Sequence, residues 1–191
     1  MRTCVYVSEK VKLVPFDQER ESVFRETWEN LKDEHQQLAI IPASQSATVM
    51  GSALSENQSQ DGARFTMRTT SDDRVIGFIA LDGLDWIARS GWVRIGIGDT
   101  AYRGKGYATE AMRLLLRYAF DGLNLNRVNL NVVSYTERAI RSYEQVGFRY
   151  EGTQREVICK EEQRWDSVDM GILRQDWELL NRLPIGENQA T

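Results

Sequence analysis

The sequence predicts an α/β protein of the α+β type, in which helices flank one mixed and mostly antiparallel sheet. The antiparallel part is indicated by two pairs of strand-like runs, each pair joined by a short polar turn, which favours hairpins. These runs are residues 64–69 with 74–81 and residues 149–158 with 165–173. A parallel pair is indicated by a strand, a helix and a second strand in succession, because a crossover of this length joins parallel strands.

The first third of the chain is predicted from apolar spacing and helix breakers. Residues 11–14 alternate and stop at Pro15, which indicates a short strand. Residues 17–32 begin with a capping aspartate and carry large apolar side chains at helical spacing, so they predict a helix. A shorter helix is expected at 47–54, and the very polar stretch 55–62 is expected to be a loop.

The middle of the chain contains the strand, helix and strand that predict the parallel pair. Residues 92–99 form an apolar run with two glycines, which mark a place where a ligand or another backbone comes close. The helix begins at Gly106, and its apolar residues recur at helical spacing. Gly122 is predicted to end it as a left-handed glycine, before a strand at 127–133.

A second helix is predicted after that strand. Thr136 is a suitable N-cap, and Tyr135 and Ile140 have the spacing of a hydrophobic staple. Gly147 is expected to end this helix.

The glycine turn before the first of these helices is predicted to bind phosphate. Gly104 and Gly106 allow a tight bend and a close approach, and Arg103 and Lys105 add positive charge. Tyr107 follows where a P-loop needs Lys and Ser or Thr, which excludes that motif. A third glycine for the dinucleotide fingerprint is also missing. Taken alone, a single G-x-G favours a simple reversal of the chain over a phosphate site.

The composition narrows the function classes. The 191 residues are expected to form one domain, 1–191, and the net charge of −4 does not favour nucleic acid as a partner. Cys4, Cys159 and His35 are too few and too scattered for a zinc site or a disulfide framework, and His35 lacks a nucleophile motif or a second ligand. No run has the length of a membrane span or the pattern of a signal peptide, so a cytoplasmic protein is expected.

Three stretches together resemble the GNAT superfamily of acyl-CoA-dependent N-acyltransferases. The first is Arg103-x-x-Gly106-x-Ala108, between a central strand and a long helix. The second is residues 74–79, which look like the strand before the cofactor strand, and the third is residues 135–148, which are similar to the second cofactor motif. The resemblance covers about residues 73–177. It is nearest to the branch of the ribosomal-protein N-terminal acetyltransferases.

The resemblance implies a GNAT-like sheet whose parallel strands splay apart, with the pantetheine arm of acetyl-CoA in the gap. It implies acetyl-CoA as donor, a primary amine as acceptor, direct attack in a ternary complex, and no metal. It also implies a set of cofactor-binding residues. They are Ile95, Ile97, Gly98, Arg103, Gly104, Lys105, Gly106, Tyr107, Ala108, Thr136, Ala139 and Tyr143. Thr136 departs from the asparagine usual in the family.

The catalytic residues follow from the resemblance less completely. Tyr143 matches the tyrosine that lies near the cofactor sulfur, where it would donate a proton to the leaving thiolate. Trp92 occupies the position where the branch often has a glutamate that serves as base. Asp82, Asp85 and Glu156 are the carboxylates that could replace it, directly or through water.

The acceptor stays open among protein N-termini, polyamines, aminoglycosides and amino acids. A non-catalytic acyl-CoA-binding module is the alternative to an enzyme, since the usual glutamate is missing while Tyr143 is retained. No nucleic-acid or membrane partner is expected, and a homodimer is left open.

Overall fold

The computed structural model describes residues 6–16, 62–160 and 162–182. The helices predicted at 17–32 and 47–54, His35 and nearly all of the loop at 55–62 lie outside the described residues. In chain order the elements are β1 Tyr6–Val7, β2 Val11–Pro15, β3 Ala63–Thr69, β4 Val75–Asp85, β5 Ser90–Ile97, α1 Tyr107–Arg117, β6 Arg127–Val133, α2 Glu137–Val146, β7 Arg149–Lys160, β8 Gln163–Leu173 and α3 Arg174–Arg182.

All of these strands form one sheet in the order β1-β2-β3-β4-β5-β6-β8-β7. Every neighbouring pair is antiparallel except β5 and β6, which are parallel. The predicted fold class is therefore confirmed, and so are the two predicted hairpins, β3–β4 and β7–β8. The crossover through α1 is the connection that brings β6 parallel to β5.

The parallel strands separate after a short contact. β5 and β6 pair only from Ser90↔Arg127 to Trp92↔Asn129. Both strands nevertheless continue, β5 to Ile97 and β6 to Val133. A gap therefore opens between them, which is the splay that the resemblance implies.

Backbone groups of β5 face this gap. The N–H of Gly98 donates to the carbonyl of Ile76 on β4 at 2.9 Å. Because successive residues of a strand direct their backbone groups to opposite sides, the N–H and C=O of Ile97 and Ile95 point away from β4. They face β6 at the point where β6 no longer pairs with them.

The described helices pack on one face of the sheet. Apolar side chains of α1, among them Met112 and Leu115, form one core cluster with strand residues such as Leu13 and Ile79. Each fully buried side chain of this size contributes roughly 1.5–3 kcal/mol. α1 is therefore fixed against the strands that carry the gap, and its first turn is held next to the end of β5.

The end of α1 differs from the prediction. The helix continues as a π-helical turn over Tyr118–Gly122, in which the N–H of Leu123 donates to the carbonyl of Tyr118 at 3.0 Å. Gly122 is not left-handed; Asn124 is, with φ of 56°. The prediction that Gly122 is a C′ glycine was wrong because the wider turn carries the chain past it in a helical conformation.

Of the two predicted caps of α2, the one at the C-terminus is present and the side-chain cap at the N-terminus is not. Gly147 ends the helix in the left-handed conformation, with φ of 111°, as expected. Thr136 is the N-cap residue, but its hydroxyl donates to the carbonyl of Val133 at 2.5 Å instead of accepting from the helix. The predicted side-chain cap is therefore wrong. The backbone carbonyl of Thr136 accepts from Ala139 at 2.9 Å.

The sequence did not predict α3. Its Trp177 packs on Phe120 with ring centroids 5.3 Å apart, and Arg174 donates from Nε to the carbonyl of Leu125 at 2.9 Å. These contacts hold α3 against the π-helical turn. Within the described ranges, none of the helices is both long and apolar enough to cross a membrane.

Candidate active site

A cleft of about 750 Å³ opens between the end of β5, the first turn of α1 and one side of α2. Most of the residues predicted to bind the cofactor line it. These are Ile95, Ile97, Arg103, Gly104, Gly106, Tyr107, Ala108, Thr136, Ala139 and Tyr143. Gly98 and Lys105 are neighbours of the lining residues in the chain but do not line the cleft themselves.

The glycine turn forms the floor of one end of this cleft. Gly104 and Gly106 have φ of +68° and +89°, a conformation that glycine adopts without strain. The first intrahelical bond of α1 runs from the N–H of Glu110 to the carbonyl of Gly106, at 3.0 Å. The N–H groups of residues 107–109 therefore have no partner within the helix. They point out of the helix N-terminus, where the helix dipole favours an anion.

Two cations stand beside these glycines. A Cβ on Gly104 would come within 3.2 Å of Nη1 of Arg138, and one on Gly106 within 3.5 Å of Nζ of Lys10. Side chains there would crowd both cations and narrow the approach to the helix. The glycines therefore keep open a turn that is flanked by positive charge on both sides.

Lys10, near the start of the sequence, contacts the glycine turn at residues 104–106. Oε2 of Glu110 accepts from the Ser8 hydroxyl at 2.6 Å and from the backbone N–H of Lys10 at 2.9 Å. Nζ of Lys10 donates to the carbonyl of Lys105 at 3.3 Å and lies 3.9 Å from Oε1 of Glu110. These contacts fix Lys10 at the turn and offset the Glu110 charge, which would otherwise repel an anion. The sequence gives no signal for this, since about one hundred residues separate the partners.

α2 supplies the opposite wall. Thr109 on α1 and Ser142 on α2 share a hydrogen bond of 2.8 Å between their hydroxyls, which ties the two helices together. Arg138 and Arg141 also line the cleft, and Arg141 pairs with Glu137 at 3.2 Å one helical turn away. Arg138 was not among the cofactor-binding residues predicted from the sequence. Its signal was available, because it follows Thr136 by two residues in the second motif.

Arg103 lines the cleft but directs part of its guanidinium to the sheet. Its Nε and Nη2 donate to the carbonyl of Ile97 at 3.2 and 3.1 Å. That carbonyl faces the gap and has lost β6 as a partner. Arg103 therefore replaces the missing strand at the end of β5, in addition to any charge it adds to the cleft.

Tyr143 lies on the side of α2 that faces the cleft. The residue is only 8% exposed, and its ring contacts that of Phe148 edge-on at 6.2 Å. Burial raises the pKa of Tyr143 to about 12, because the phenolate would be desolvated. The hydroxyl is therefore protonated at every physiological pH.

The carboxylates considered as bases lie elsewhere. Asp82 accepts from Nε and Nη2 of Arg94 at 2.7 and 2.6 Å and lies 3.7 Å from Nε of Arg64. Asp85 accepts from the N–H groups of residues 87 and 88 in the turn after β4. Glu156 is exposed on β7, in a left-handed conformation with φ of 55°. None of these three carboxylates lines the cleft.

Across residues 6–16, 62–160 and 162–182, no group of three or more His, Cys, Asp or Glu side chains is arranged to hold an ion.

Known proteins are similar to this chain in sequence. The family described as acetyltransferase (GNAT) domain matches residues 10–149. The prophage-derived uncharacterized N-acetyltransferase YokL of Bacillus subtilis is 31% identical over 134 residues, which are 70% of this chain and 75% of YokL. The putative ribosomal N-acetyltransferase YdaF of Bacillus subtilis is 33% identical over 107 residues, 56% of this chain and 58% of YdaF. Its name agrees with the branch that the sequence resembles.

A solved structure has the same fold. The spermidine N-acetyltransferase of Vibrio cholerae in complex with CoA and spermine superposes with a TM-score of 0.76, covering 90% of this chain and 99% of that one at 22% identity. With the family match extending over well more than half of the sequence, the chain belongs to the GNAT acetyltransferases and is an N-acetyltransferase that depends on acetyl-CoA.

Proposed function

We propose that the protein transfers the acetyl group of acetyl-CoA to a primary amine by direct attack within a ternary complex. One observation carries this proposal: the glycine turn, the gap-facing backbone of β5 and the buried Tyr143 all border one continuous cleft. An acyl-CoA needs a diphosphate site, a channel for an amide-bearing arm and a proton donor near its sulfur. The three features match these three needs.

The residues at the turn fit the diphosphate. The left-handed Gly104 and Gly106 leave the floor without side chains, and the N–H groups of residues 107–109 are available as donors. Lys10 and Arg138 add charge from the two sides. The amide groups of the pantetheine arm are proposed to pair with the backbone of Ile95 and Ile97, which faces the gap.

The proposed chemistry uses Ile97 and Tyr143, which both line the cleft. When bound, acetyl-CoA supplies a thioester carbonyl for attack and a thiolate as leaving group. The gap-facing N–H of Ile97 is the proposed donor to the negative charge that develops on the carbonyl oxygen. Tyr143 is the proposed donor to the departing sulfur. A phenol with a pKa of about 12 is a weaker acid than a thiol of pKa about 8.5, so its hydroxyl stabilises the thiolate chiefly by hydrogen bonding.

The amine must lose a proton before it attacks, because its reference pKa is about 10. Asp82 faces the same side of the sheet as Trp92, its cross-strand partner. Arg94 already donates to its Oδ2, however, and Nε of Arg64 lies 3.7 Å from its Oδ1. Glu156 lies at an irregular point of β7. We therefore propose that water carries the proton away and that none of Asp82, Asp85 and Glu156 is an obligatory base.

Initial-rate kinetics test this function. Thiol release from acetyl-CoA is followed with spermidine, an aminoglycoside, free amino acids and peptides beginning with Ala or Ser. Spermidine is tested first because a structural neighbour is a spermidine N-acetyltransferase. Intersecting double-reciprocal lines are expected for direct attack in a ternary complex. Parallel lines would indicate a covalent acetyl-enzyme and contradict the proposal.

A further inference from the structure

A polar cluster lies on the face of the sheet opposite the described helices. Along β8, Val168, Met170 and Ile172 point into the core cluster beneath these helices. Because successive side chains of a strand alternate between faces, Ser167 and Asp169 point to the other side. Two polar side chains therefore share the face that α1 and α2 do not cover.

This cluster lies one strand away from the gap between β5 and β6, because β8 pairs with the far side of β6. On β6, Asn131 pairs with Asp169 and Val133 with Ser167. Both β6 residues lie beyond Asn129, the last one that pairs with β5. Cross-strand partners project to the same face, so Asn131 and Asp169 stand side by side where the sheet is open.

Two atoms of this cluster are buried without a partner. Ser167 is 1% exposed, and neither its Oγ nor Oδ1 of Asp169 has a hydrogen-bond partner in the part of the chain that the structure describes. The other oxygen of Asp169 accepts from Nε2 of Gln154 at 3.0 Å. An unpaired buried polar group destabilises the folded state. Such a group in a folded protein needs an explanation, and a ligand that donates hydrogen bonds is one.

We propose that Ser167 and Asp169 bind the amino group of the acceptor. This inference rests on the proposed function and specifies the acceptor side of the same reaction. An alkylammonium offers three N–H donors and a positive charge, which match a hydroxyl oxygen and a carboxylate oxygen that both lack donors. Acetyl-CoA lies in the cleft on the helix side, so the amine reaches the gap from the opposite face and meets the thioester there.

The cluster also indicates the class of acceptor. The unpartnered oxygen of Asp169 favours a cationic amine over a neutral one. Trp92, 44% exposed, lies on the same face beside Asn129, whose partner on β8 is Gly171. An exposed aromatic ring on the same face suits the apolar chain that carries such an ammonium. The acceptor is therefore a primary amine on an alkyl chain, for which spermidine serves as the probe.

The test uses Ser167→Ala and Asp169→Asn in the full chain. For each variant, kcat and the KM values for spermidine and acetyl-CoA are measured by thiol release, together with the Tm of the free protein. Asp166→Asn is the matched control, because Asp166 is on the same strand and accepts from the N–H of Glu156 at 2.9 Å. Wild-type turnover with spermidine, measured in the same assay, tests the proposed function separately.

Asp169→Asn is expected to lower kcat/KM for spermidine at least tenfold and Ser167→Ala several-fold, with the KM for acetyl-CoA unchanged. Ser167→Ala should also raise the Tm by about 2–4 °C, since it removes a buried group without a partner. A structural role for the hydroxyl would lower the Tm instead and would overturn the inference. Active wild type with unchanged spermidine kinetics in both variants would overturn it while leaving the function intact. An inactive wild type with every amine tested would contradict both.

Discussion

The guanidinium of Arg103 donates two hydrogen bonds to the carbonyl of Ile97, from Nε at 3.2 Å and from Nη2 at 3.1 Å. This contact joins the first residue of the glycine motif to the last residue of β5. The carbonyl would have paired with β6 in a continuous sheet, but β6 has diverged five residues earlier along β5. The motif arginine therefore supports the open edge of the sheet, and the same contact fixes the position of the turn that follows it.

Replacing this arginine should weaken the cofactor site without unfolding the protein. Arg103→Met removes a charge-assisted donor pair worth roughly 1.5–3 kcal/mol, so the KM for acetyl-CoA should rise about tenfold or more. Arg113→Met, on the exposed side of α1, is the control and should leave the KM unchanged. Equal KM values in the two variants would mean that Arg103 does not organise the site.

The floor of the turn should not tolerate a side chain. Gly106→Asp places a carboxylate at the helix N-terminus in a left-handed conformation, with φ of +89°, so CoA binding should fall at least a hundredfold. Gly152→Asp is the matched control, because a Cβ at Gly152 meets nothing within 4 Å. Calorimetric titration with CoA measures both variants. Wild-type affinity in Gly106→Asp would remove the turn from the binding site.

Lys10 should contribute to acetyl-CoA binding although it lies outside the motifs. Lys10→Met is expected to raise the KM for acetyl-CoA several-fold, and the difference from wild type should shrink as NaCl is added, since salt screens an exposed charge. If Lys10 acts on the diphosphate, Lys10→Met should raise the KM for acetyl-dephospho-CoA by the same factor. Lys12→Met is the control, because Lys12 pairs with Asp73 at 2.9 Å. A KM that rises for acetyl-CoA but not for acetyl-dephospho-CoA would assign Lys10 to the 3′-phosphate instead.

Tyr143→Phe should reduce kcat about ten- to a hundredfold with little change in the KM for acetyl-CoA, because the ring keeps its packing and only the hydroxyl is lost. Tyr150→Phe is the control, since Tyr150 is 61% exposed on β7. Wild-type kcat in Tyr143→Phe would show that Tyr143 serves only the core.

The pH dependence of stability also reports on Tyr143. Its pKa is raised to about 12 in the folded protein, against about 10 in the unfolded chain. Between these values the folded state holds a proton that the unfolded state has lost, so the stability falls as the pH rises from 10 to 12, by about 1.4 kcal/mol per pH unit. Tyr143→Phe should lack this slope in denaturant titrations at pH 9 to 12. If the free energy of unfolding changed with pH in the same way for the two proteins, this would contradict the burial of the hydroxyl.

The sequence predicted the elements whose signals are local. The β3–β4 and β7–β8 hairpins follow from alternation and polar turns, and α2 ends at Gly147 because only glycine adopts φ of 111° readily. The π-helical turn after α1 was missed, because an apolar helical spacing does not distinguish one wide turn from a normal one. α3 was missed because its docking depends on Phe120, more than fifty residues away.

Only part of the site was predicted, because only some of its residues have a signal that is local in the sequence. Gly104, Gly106 and Tyr143 belong to motifs that can be recognised along the chain. Lys10 and Ser167 do not, since their positions depend on the pairing of distant strands. Asp82 has the right residue type and faces the side of Trp92, but no sequence pattern shows that Arg64 and Arg94 already hold it.

The most direct test of the account is thiol release from acetyl-CoA with spermidine, comparing wild type with Gly106→Asp at equal concentration. The account predicts amine-dependent release by the wild type and none by the variant, while the circular dichroism spectra of the two proteins agree. Release that does not depend on an amine, or equal release by the variant, would contradict acetyl transfer to an amine from a cofactor bound at the glycine turn.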